Sequence, residues 1–155
     1  LAEAGLEVAK LHLLESGLDV DYQSISAEDL AEKETESFDV IACLEMLEHV
    51  PEPSLVIKAC SKLVKPQGKV FFSTINRNPK SYFFAIVGAE YVLNLLPKGT
   101  HNYEKFIRPS EIDGWARNFN LSINSIIGMT YNPLTKKYKL GDDVSVNYMT
   151  HYEKG

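Results

Sequence analysis

"FDVIACLEMLEHVPEP", residues 38–53, is the stretch that decides the fold. Residues 38–44 form an almost continuous apolar run, which is typical of a strand buried on both faces of a parallel sheet. Glu45, Glu48 and His49 follow directly, and a Pro-x-Pro segment comes after them. The stretch therefore predicts a buried strand whose carboxyl end carries a cluster of ionisable groups.

Further elements extend from this stretch in both directions. Apolar residues at helical spacing predict a helix over about 53–64, which ends at the turn "KPQG". A second buried strand is predicted directly after that turn, at 69–75. Ser26 is a good N-cap for a short acidic helix. The other predicted elements are a helix over about 1–17, strands at 20–25 and 121–131, a helix over 108–119, and two short strands around the Gly-Asp-Asp turn of the tail.

Strands that alternate with helices, followed by two final strands, predict an α/β open sheet with an antiparallel C-terminal hairpin at its edge. A chain of 155 residues suits one domain. Ligands of such sheets bind outside the carboxyl ends of the strands. Residues 44–50 lie at one of these ends, so they are the first candidates for chemistry.

The composition narrows the class of protein. An apolar content of 45% and a charged content of 24% are ordinary for a soluble globular protein. The formal net charge of −5 argues against nucleic acid as the main partner. Cys43 and Cys60 lie in apolar runs without metal-ligand spacing, so we expect buried thiols rather than a disulfide.

The cluster Glu45, Glu48 and His49 has three interpretations. On a helix that begins near Glu45, the three side chains share one face and could bind a divalent metal that activates a hydroxyl. His49 alone could instead act as a general base. The third interpretation is structural: two solvated carboxylates at a helix N-terminus and a packed histidine. The spacing alone leaves all three open.

Residues 81–101 form an apolar segment that is too short to span a bilayer as a helix. Cations flank the segment on both sides. It could be a core helix, a lid over an apolar substrate, or a segment that rests in a membrane interface.

Four sequence pieces in order carry a family resemblance. They are "FDVIACLEMLEHVPEP", "LVKPQGKVFFSTINRNPKS", "GAEYVLNLLPKGTHNYEKFIRP" and "YNPLTKKYKL...VNYMTH". Together they resemble the ubiquinone-biosynthesis O-methyltransferases, which act on polyprenyl-hydroxyphenols and demethylubiquinol within the Rossmann-like class I S-adenosylmethionine-dependent fold. The resemblance covers nearly the whole chain, and "NRNPKS", "PKGTH" and the "YNP...VNY" tail are its most selective parts.

The resemblance implies a methyl transfer from S-adenosylmethionine to a phenolic oxygen, and it implies roles for particular residues. Leu44 matches a cofactor-contacting position, and Ser26, Ala27 and Glu28 occupy the loop near the adenine. The family's divalent metal, usually Mg²⁺, is assigned to positions that match Glu45, Glu48 and His49. The polyprenylated substrate is expected near Asn76, Arg77 and His101, although Arg77 and His101 also suit a plain surface.

The resemblance also implies surroundings for the protein. It implies a peripheral membrane contact through residues 81–97, inside an apolar insert at about 79–106, and membership of a ubiquinone-biosynthesis complex. The location is then the cytoplasmic face of a bacterial inner membrane, or the matrix side in a mitochondrion. Gln67 departs from the family, which often has Gly there.

The family's first strand, its glycine-rich loop and its ribose-binding acidic residue have no counterpart in these 155 residues. The domain is therefore expected to be incomplete. Two alternatives follow: a class I methyltransferase for another small acceptor, or a non-catalytic binding module if the chain truly starts at Leu1.

Overall fold

The computed structural model describes residues 3–83, 102–132 and 135–155. Its helices and strands follow the order expected of an α/β domain. The helices are α1 (Glu3–Ser16), α2 (Ala27–Lys33), α3 (Pro53–Leu63), the single turn α4 (Pro79–Ser81) and α5 (Pro109–Asn118), with 3-10 turns at Leu47–His49 and Tyr103–Lys105. The strands are β1 (Phe38–Leu44), β2 (Val64–Ile75), β3 (Leu121–Asn132), β4 (Lys137–Gly141) and β5 (Asn147–Lys154).

The five strands form one mixed sheet in the order β1-β2-β5-β3-β4. Strands β1 and β2 are parallel, and the other neighbours are antiparallel. The α/β Rossmann-like class predicted from the sequence is thereby confirmed. The crossover from β1 to β2 runs through α3, so the carboxyl ends of these two strands meet at one edge of the sheet.

The core lies between the sheet and helices α3 and α5. Val70 and Phe72 of β2 are fully buried in it, as are Ile57 of α3 and Ile112 of α5. Tyr152 of β5 packs edge-to-face on Phe72, with ring centroids 5.9 Å apart. Strand β2 is thus a buried interior strand between β1 and β5, as its apolar sequence predicts.

Three expectations about the strands are wrong. Strand β1 is largely exposed along one face, with Val40 at 57% and Leu44 at 50%, and among the described residues it pairs with β2 alone. Residues 20–25 are not a strand, since no strand among the described residues pairs with them. The tail strands β4 and β5 do not pair with each other: β4 forms the antiparallel edge hairpin with β3, and β5 inserts between β2 and β3.

The turn "KPQG" is a bulge inside β2 rather than a break before it. Phe38 pairs with Val64, whereas Val40 pairs with Lys69, so the residues between these two positions of β2 loop out of the ladder. Gln67 has φ +64°. This left-handed conformation explains why the resembling family often has Gly at that position.

The apolar insert lies mostly beyond what the structure describes. Residues 84–101 fall outside the described ranges, so its predicted helix, lid or membrane role stays a prediction. Of the helices within those ranges, none combines the length and the apolarity that crossing a bilayer requires.

Candidate active site

The candidate site lies where β1 and β2 end. Leu44, the last residue of β1, pairs with Ser73. The next residue, Glu45, donates its backbone N–H to the Ser73 carbonyl at 3.0 Å and has φ +50°. A non-glycine residue in the left-handed region is uncommon and often marks a functional position. Glu45 is therefore not the start of a helix, so the helical face that Glu45, Glu48 and His49 were expected to share does not form.

The Glu45 carboxylate is held on both of its oxygens. Ser73 Oγ donates to Oε1 at 2.7 Å, and Asn147 Nδ2 donates to Oε2 at 3.3 Å. Ser73 is buried, whereas Glu45 is exposed. The result is an accessible carboxylate with a defined orientation at the carboxyl end of β1.

The Glu48 carboxylate is held elsewhere. Glu48 is only 4% exposed, and its Oε2 accepts a hydrogen bond of 2.7 Å from Thr74 Oγ1. Ser73 and Thr74 are consecutive residues of β2, so their side chains point to opposite faces of the sheet. Each glutamate is therefore bound from a different face of β2.

His49 ends the 3-10 turn that follows Glu45. Its backbone N–H donates to the Met46 carbonyl at 2.9 Å, and its side chain is exposed. An exposed imidazole beside a strand end can exchange a proton with a ligand bound there. The packed histidine of the structural interpretation is not what the structure contains.

The predicted metal set does not form. Within residues 3–83, 102–132 and 135–155, no three His, Cys, Asp or Glu side chains are grouped so that they could hold a metal ion. The cause is local: Glu48 is buried against Thr74, whereas Glu45 is held by Ser73 and His49 is exposed. The residues present thus do not fit the metal site that the resemblance implies.

The predicted cofactor residues lie on β1 and at the start of α2. Leu44 is half exposed in the last ladder pair of β1 with β2, as a contact for a ligand requires. Ser26 is the predicted N-cap of α2, and its hydroxyl accepts from the backbone of Asp29 at 3.0 Å. Ala27 packs against the core, and Glu28 is half-buried. An open groove of about 690 Å³ adjoins this cap and is lined by Gln23, Ser24, Ile25, Ser26, Asp29, Glu32 and Lys33.

Two of the predicted substrate residues have structural partners instead. Asn76 donates its side-chain amide to the Val144 carbonyl at 3.0 Å. Arg77 forms an ion pair with Glu111 and donates to the Glu104 carbonyl at 3.2 Å. Both residues connect the end of β2 to neighbouring segments. The third, His101, lies outside the described residues.

Cys43, Cys60 and Tyr148 lie in the apolar core beneath the site. Burial, and after it the charge of Glu48, raises the pKa of the Cys43 thiol to about 12. Burial also raises the pKa of Cys60 and of Tyr148 well above their ordinary values. Both cysteines are free and buried, as predicted, and a neutral thiol is a poor nucleophile. Tyr148 donates its hydroxyl to the Ile107 carbonyl at 2.9 Å. These groups therefore support the site rather than react in it.

Sequence reasoning missed Ser73, Thr74 and Asn147. The signal for the first two was present: two hydroxyls end the apolar run "KVFFSTI". Asn147 is 102 residues from Glu45 along the chain, and no local pattern connects them.

Comparison with known proteins identifies related chains. The methyltransferase domain family matches residues 5–126. A protein of Pseudomonas syringae pv. tomato named ubiquinone biosynthesis O-methyltransferase is 66% identical over 149 residues, which cover 96% of this chain and 64% of the relative. A protein of the same name from Stutzerimonas stutzeri is 64% identical over 154 residues, which cover 99% of this chain and 66% of the relative. The chain thus spans slightly less than two thirds of the length of these relatives.

Solved structures resemble the fold. A crystal structure of a SAM-dependent methyltransferase from Thermotoga maritima superposes with a TM-score of 0.67 at 19% identity, and the match covers 99% of this chain and 70% of the other. At this identity the likeness supports the fold alone. The family match, which covers most of the chain, goes further: the chain belongs to the methyltransferase domain family.

Proposed function

We propose that the protein containing this chain transfers a methyl group from S-adenosylmethionine to a phenolic hydroxyl of polyprenylated ubiquinone precursors, of the 2-polyprenyl-6-hydroxyphenol and 3-demethylubiquinol type. The observation that carries the proposal is the 64–66% identity to relatives that bear the name ubiquinone biosynthesis O-methyltransferase. The site adds chemical support, since it offers an oriented carboxylate and an exposed imidazole at a parallel strand end.

In the proposed reaction, bound S-adenosylmethionine supplies the methyl group as a sulfonium electrophile. The residues of this chain align the acceptor and remove its proton. A phenol with a pKa near 10 is mostly protonated at neutral pH, so the attacking oxygen needs a base. His49 takes that proton, and Glu45 accepts a hydrogen bond from the second hydroxyl of the acceptor ring. Leu44 and the loop of Ser26, Ala27 and Glu28 contact the cofactor.

Mg²⁺ has no step in this proposal. The resemblance implies such an ion, but Glu45, Glu48 and His49 are not grouped as ligands. Direct deprotonation by His49 therefore ranks above metal-assisted deprotonation. Assay of the full-length protein with and without a chelator separates the two, because the direct route predicts unchanged turnover in excess EDTA.

The proposal is tested with purified full-length protein, S-adenosylmethionine and a catechol-type polyprenyl phenol. Product mass and S-adenosylhomocysteine formation should both report methyl transfer. We expect His49→Ala to lower kcat by about 10²-fold or more, as for other general bases, with little change in the affinity for S-adenosylhomocysteine. His12→Ala, which removes another exposed histidine, is the matched control.

The outcomes separate the alternatives. If the wild type binds S-adenosylhomocysteine but is inactive, the proposed substrate is wrong. If it is inactive and binds no S-adenosylhomocysteine, the result favours a non-catalytic binding module. Equal rates with catechols that lack the prenyl chain would favour a methyltransferase for another small acceptor. Full activity of His49→Ala would show that His49 is not the general base.

We further propose that residues 81–97 contact the membrane that holds the substrate, at the inner-membrane surface and beside other enzymes of the pathway. The described start of this segment supports the idea: Tyr82 is 46% exposed and Phe83 is 59% exposed. Aromatic side chains of this kind suit a membrane interface. Phe83→Asp should weaken co-sedimentation with anionic liposomes, whereas Tyr138→Asp, at another exposed aromatic residue, should not. Equal binding of both variants would contradict the contact.

A further inference from the structure

The loop of residues 142–146, between β4 and β5, is held by the segment that follows β2. We name it the asparagine-held loop, because Asn76 and Asn78 bind its carbonyl groups. Lys80 adds an ion pair with Asp143 at 2.8 Å. The hydrogen bonds run from Asn76 Nδ2 to the Val144 carbonyl (3.0 Å), from the Asn76 N–H to the Val146 carbonyl (2.7 Å) and from Asn78 Nδ2 to the Ser145 carbonyl (2.7 Å).

Strand β3 supports the same loop from the other side. A Cβ atom on Gly128 would lie 1.9 Å from the Asp143 carbonyl oxygen, so the loop backbone passes directly over this glycine. The segments "NRNPKS" and "VNY", which carry much of the family resemblance, are thus parts of one structure. The asparagine-held loop continues directly into β5, which begins at Asn147.

Asn147 extends this structure to the candidate site. As the first residue of β5 it pairs with Ile75 of β2 and with Met129 of β3, which fixes its backbone. Its Nδ2 donates to Glu45 Oε2 at 3.3 Å, opposite the Ser73 hydroxyl on Oε1. The ladder pairs of Asn147, next to the asparagine-held loop, therefore fix where the Asn147 amide lies relative to the Glu45 carboxylate.

We propose that Asn147 is a positioning residue, which holds the Glu45 carboxylate in the orientation that accepts a hydrogen bond from the second hydroxyl of the acceptor ring. The inference rests on the proposed function, because it assigns Asn147 a part in that reaction. The contact suits this role, because an amide donor fixes a carboxylate and leaves it charged, and hydrogen bonds to charged groups are stronger than neutral ones. Without the amide, the carboxylate loses the hydrogen bond that β5 donates to Oε2.

The test uses three variants of the full-length protein. Asn147→Ala should lower kcat about 10-fold, the effect of one hydrogen bond to a charged group, with an unchanged affinity for S-adenosylhomocysteine. Asn147→Gln keeps the amide donor and should recover part of the loss. Asn124→Ala is the matched control, since Asn124 Nδ2 donates to Glu153 Oε2, also at 3.3 Å, on an exposed part of β3.

A double-mutant cycle separates positioning from structural support. If Asn147 acts through Glu45, Asn147→Ala should lower kcat far less in a Glu45→Gln background than in the wild type. A residue that only stabilises the fold would lower activity equally in both backgrounds. Thermal unfolding of each variant monitors stability.

Three results would overturn the inference while the wild type is active: equal kcat for Asn147→Ala and Asn124→Ala, additive losses in the cycle, or no rescue by Asn147→Gln. An inactive wild type would instead overturn the proposed function. In that case the Asn147 side-chain amide resonances still test the contact, since Glu45→Gln should shift them, and unmoved resonances would overturn it.

Discussion

An added methyl group at Gly128 should destabilise the protein, because it would clash with the loop next to the candidate site. In Gly128→Ala the new Cβ would lie 1.9 Å from the Asp143 carbonyl oxygen, 2.3 Å from its carbonyl carbon and 2.9 Å from the Val144 nitrogen. All three are backbone atoms, so no side-chain rotation relieves the clash. The asparagine-held loop must therefore move away from β3.

The cost follows from what the loop loses when it moves. Overpacking of this kind typically costs about 1–3 kcal/mol. Each hydrogen bond from Asn76 or Asn78 that breaks lowers the free energy of unfolding by roughly 0.5–1.5 kcal/mol. The Lys80–Asp143 ion pair is about half exposed and adds little. Because partial relaxation of the loop preserves some of these contacts, we expect a total loss of about 2–4 kcal/mol in the free energy of unfolding.

Urea unfolding of the full-length protein measures this loss, and Gly114→Ala supplies the control. Gly114 lies in α5, and a Cβ there meets nothing within 4 Å, so the same substitution should be neutral or stabilising by up to about 1 kcal/mol. Gly128→Ala should therefore lower the free energy of unfolding, whereas Gly114→Ala should leave it unchanged or raise it. A Gly128→Ala protein within about 0.5 kcal/mol of the wild type, the range of ordinary surface substitutions, would refute the reasoning.

Two further predictions concern the backbone and the acid side of the pH range. Gln67→Gly should stabilise the protein by up to about 1 kcal/mol in urea unfolding, because Gln67 has φ +64° and glycine adopts this conformation without a Cβ clash; a loss of stability would contradict this. The hydrogen bond from Lys80, followed by those from Ser145, lowers the pKa of Asp143 below its ordinary value of 3.8. A carboxyl whose pKa is lowered on folding stabilises the folded state above pH 3.8 and ceases to do so as the pH falls. Asp143→Asn should therefore destabilise the folded state slightly at pH 7 and lose that effect in acid, with Asp142→Asn as the neighbouring control. An equal effect of Asp143→Asn at both pH values would be the contrary result.

The order of the elements could be predicted because each depends on local chemistry. Ser26 caps α2 as its type and position suggest, and the helices from Pro53 and Pro109 begin at prolines. The apolar run before Ser73 belongs to a buried interior strand. Propensity, capping and apolar periodicity act over a few residues, so a sequence displays them directly.

The details of the site could not be predicted, because they depend on contacts between distant residues. A helical face for Glu45, Glu48 and His49 was a reasonable expectation from spacing. It fails because the Ser73 carbonyl and hydroxyl bind the Glu45 backbone in the left-handed conformation, 28 residues away along the chain. The close approach of the loop backbone at Gly128 had a signal in the sequence, because a glycine inside a strand often marks a place where another backbone passes closely.

The separation of the two glutamates bears on how the chemistry can work. A carboxylate as buried as Glu48 is costly to remove from water unless it is hydrogen-bonded, and Thr74 supplies that bond. Glu48 thus lies buried and hydrogen-bonded beside the fully buried Leu47. Glu45 differs, since it is exposed and held by donors from both β2 and β5. A single oriented carboxylate beside an imidazole suits direct proton removal better than it suits a metal, which needs several ligands to converge on one point.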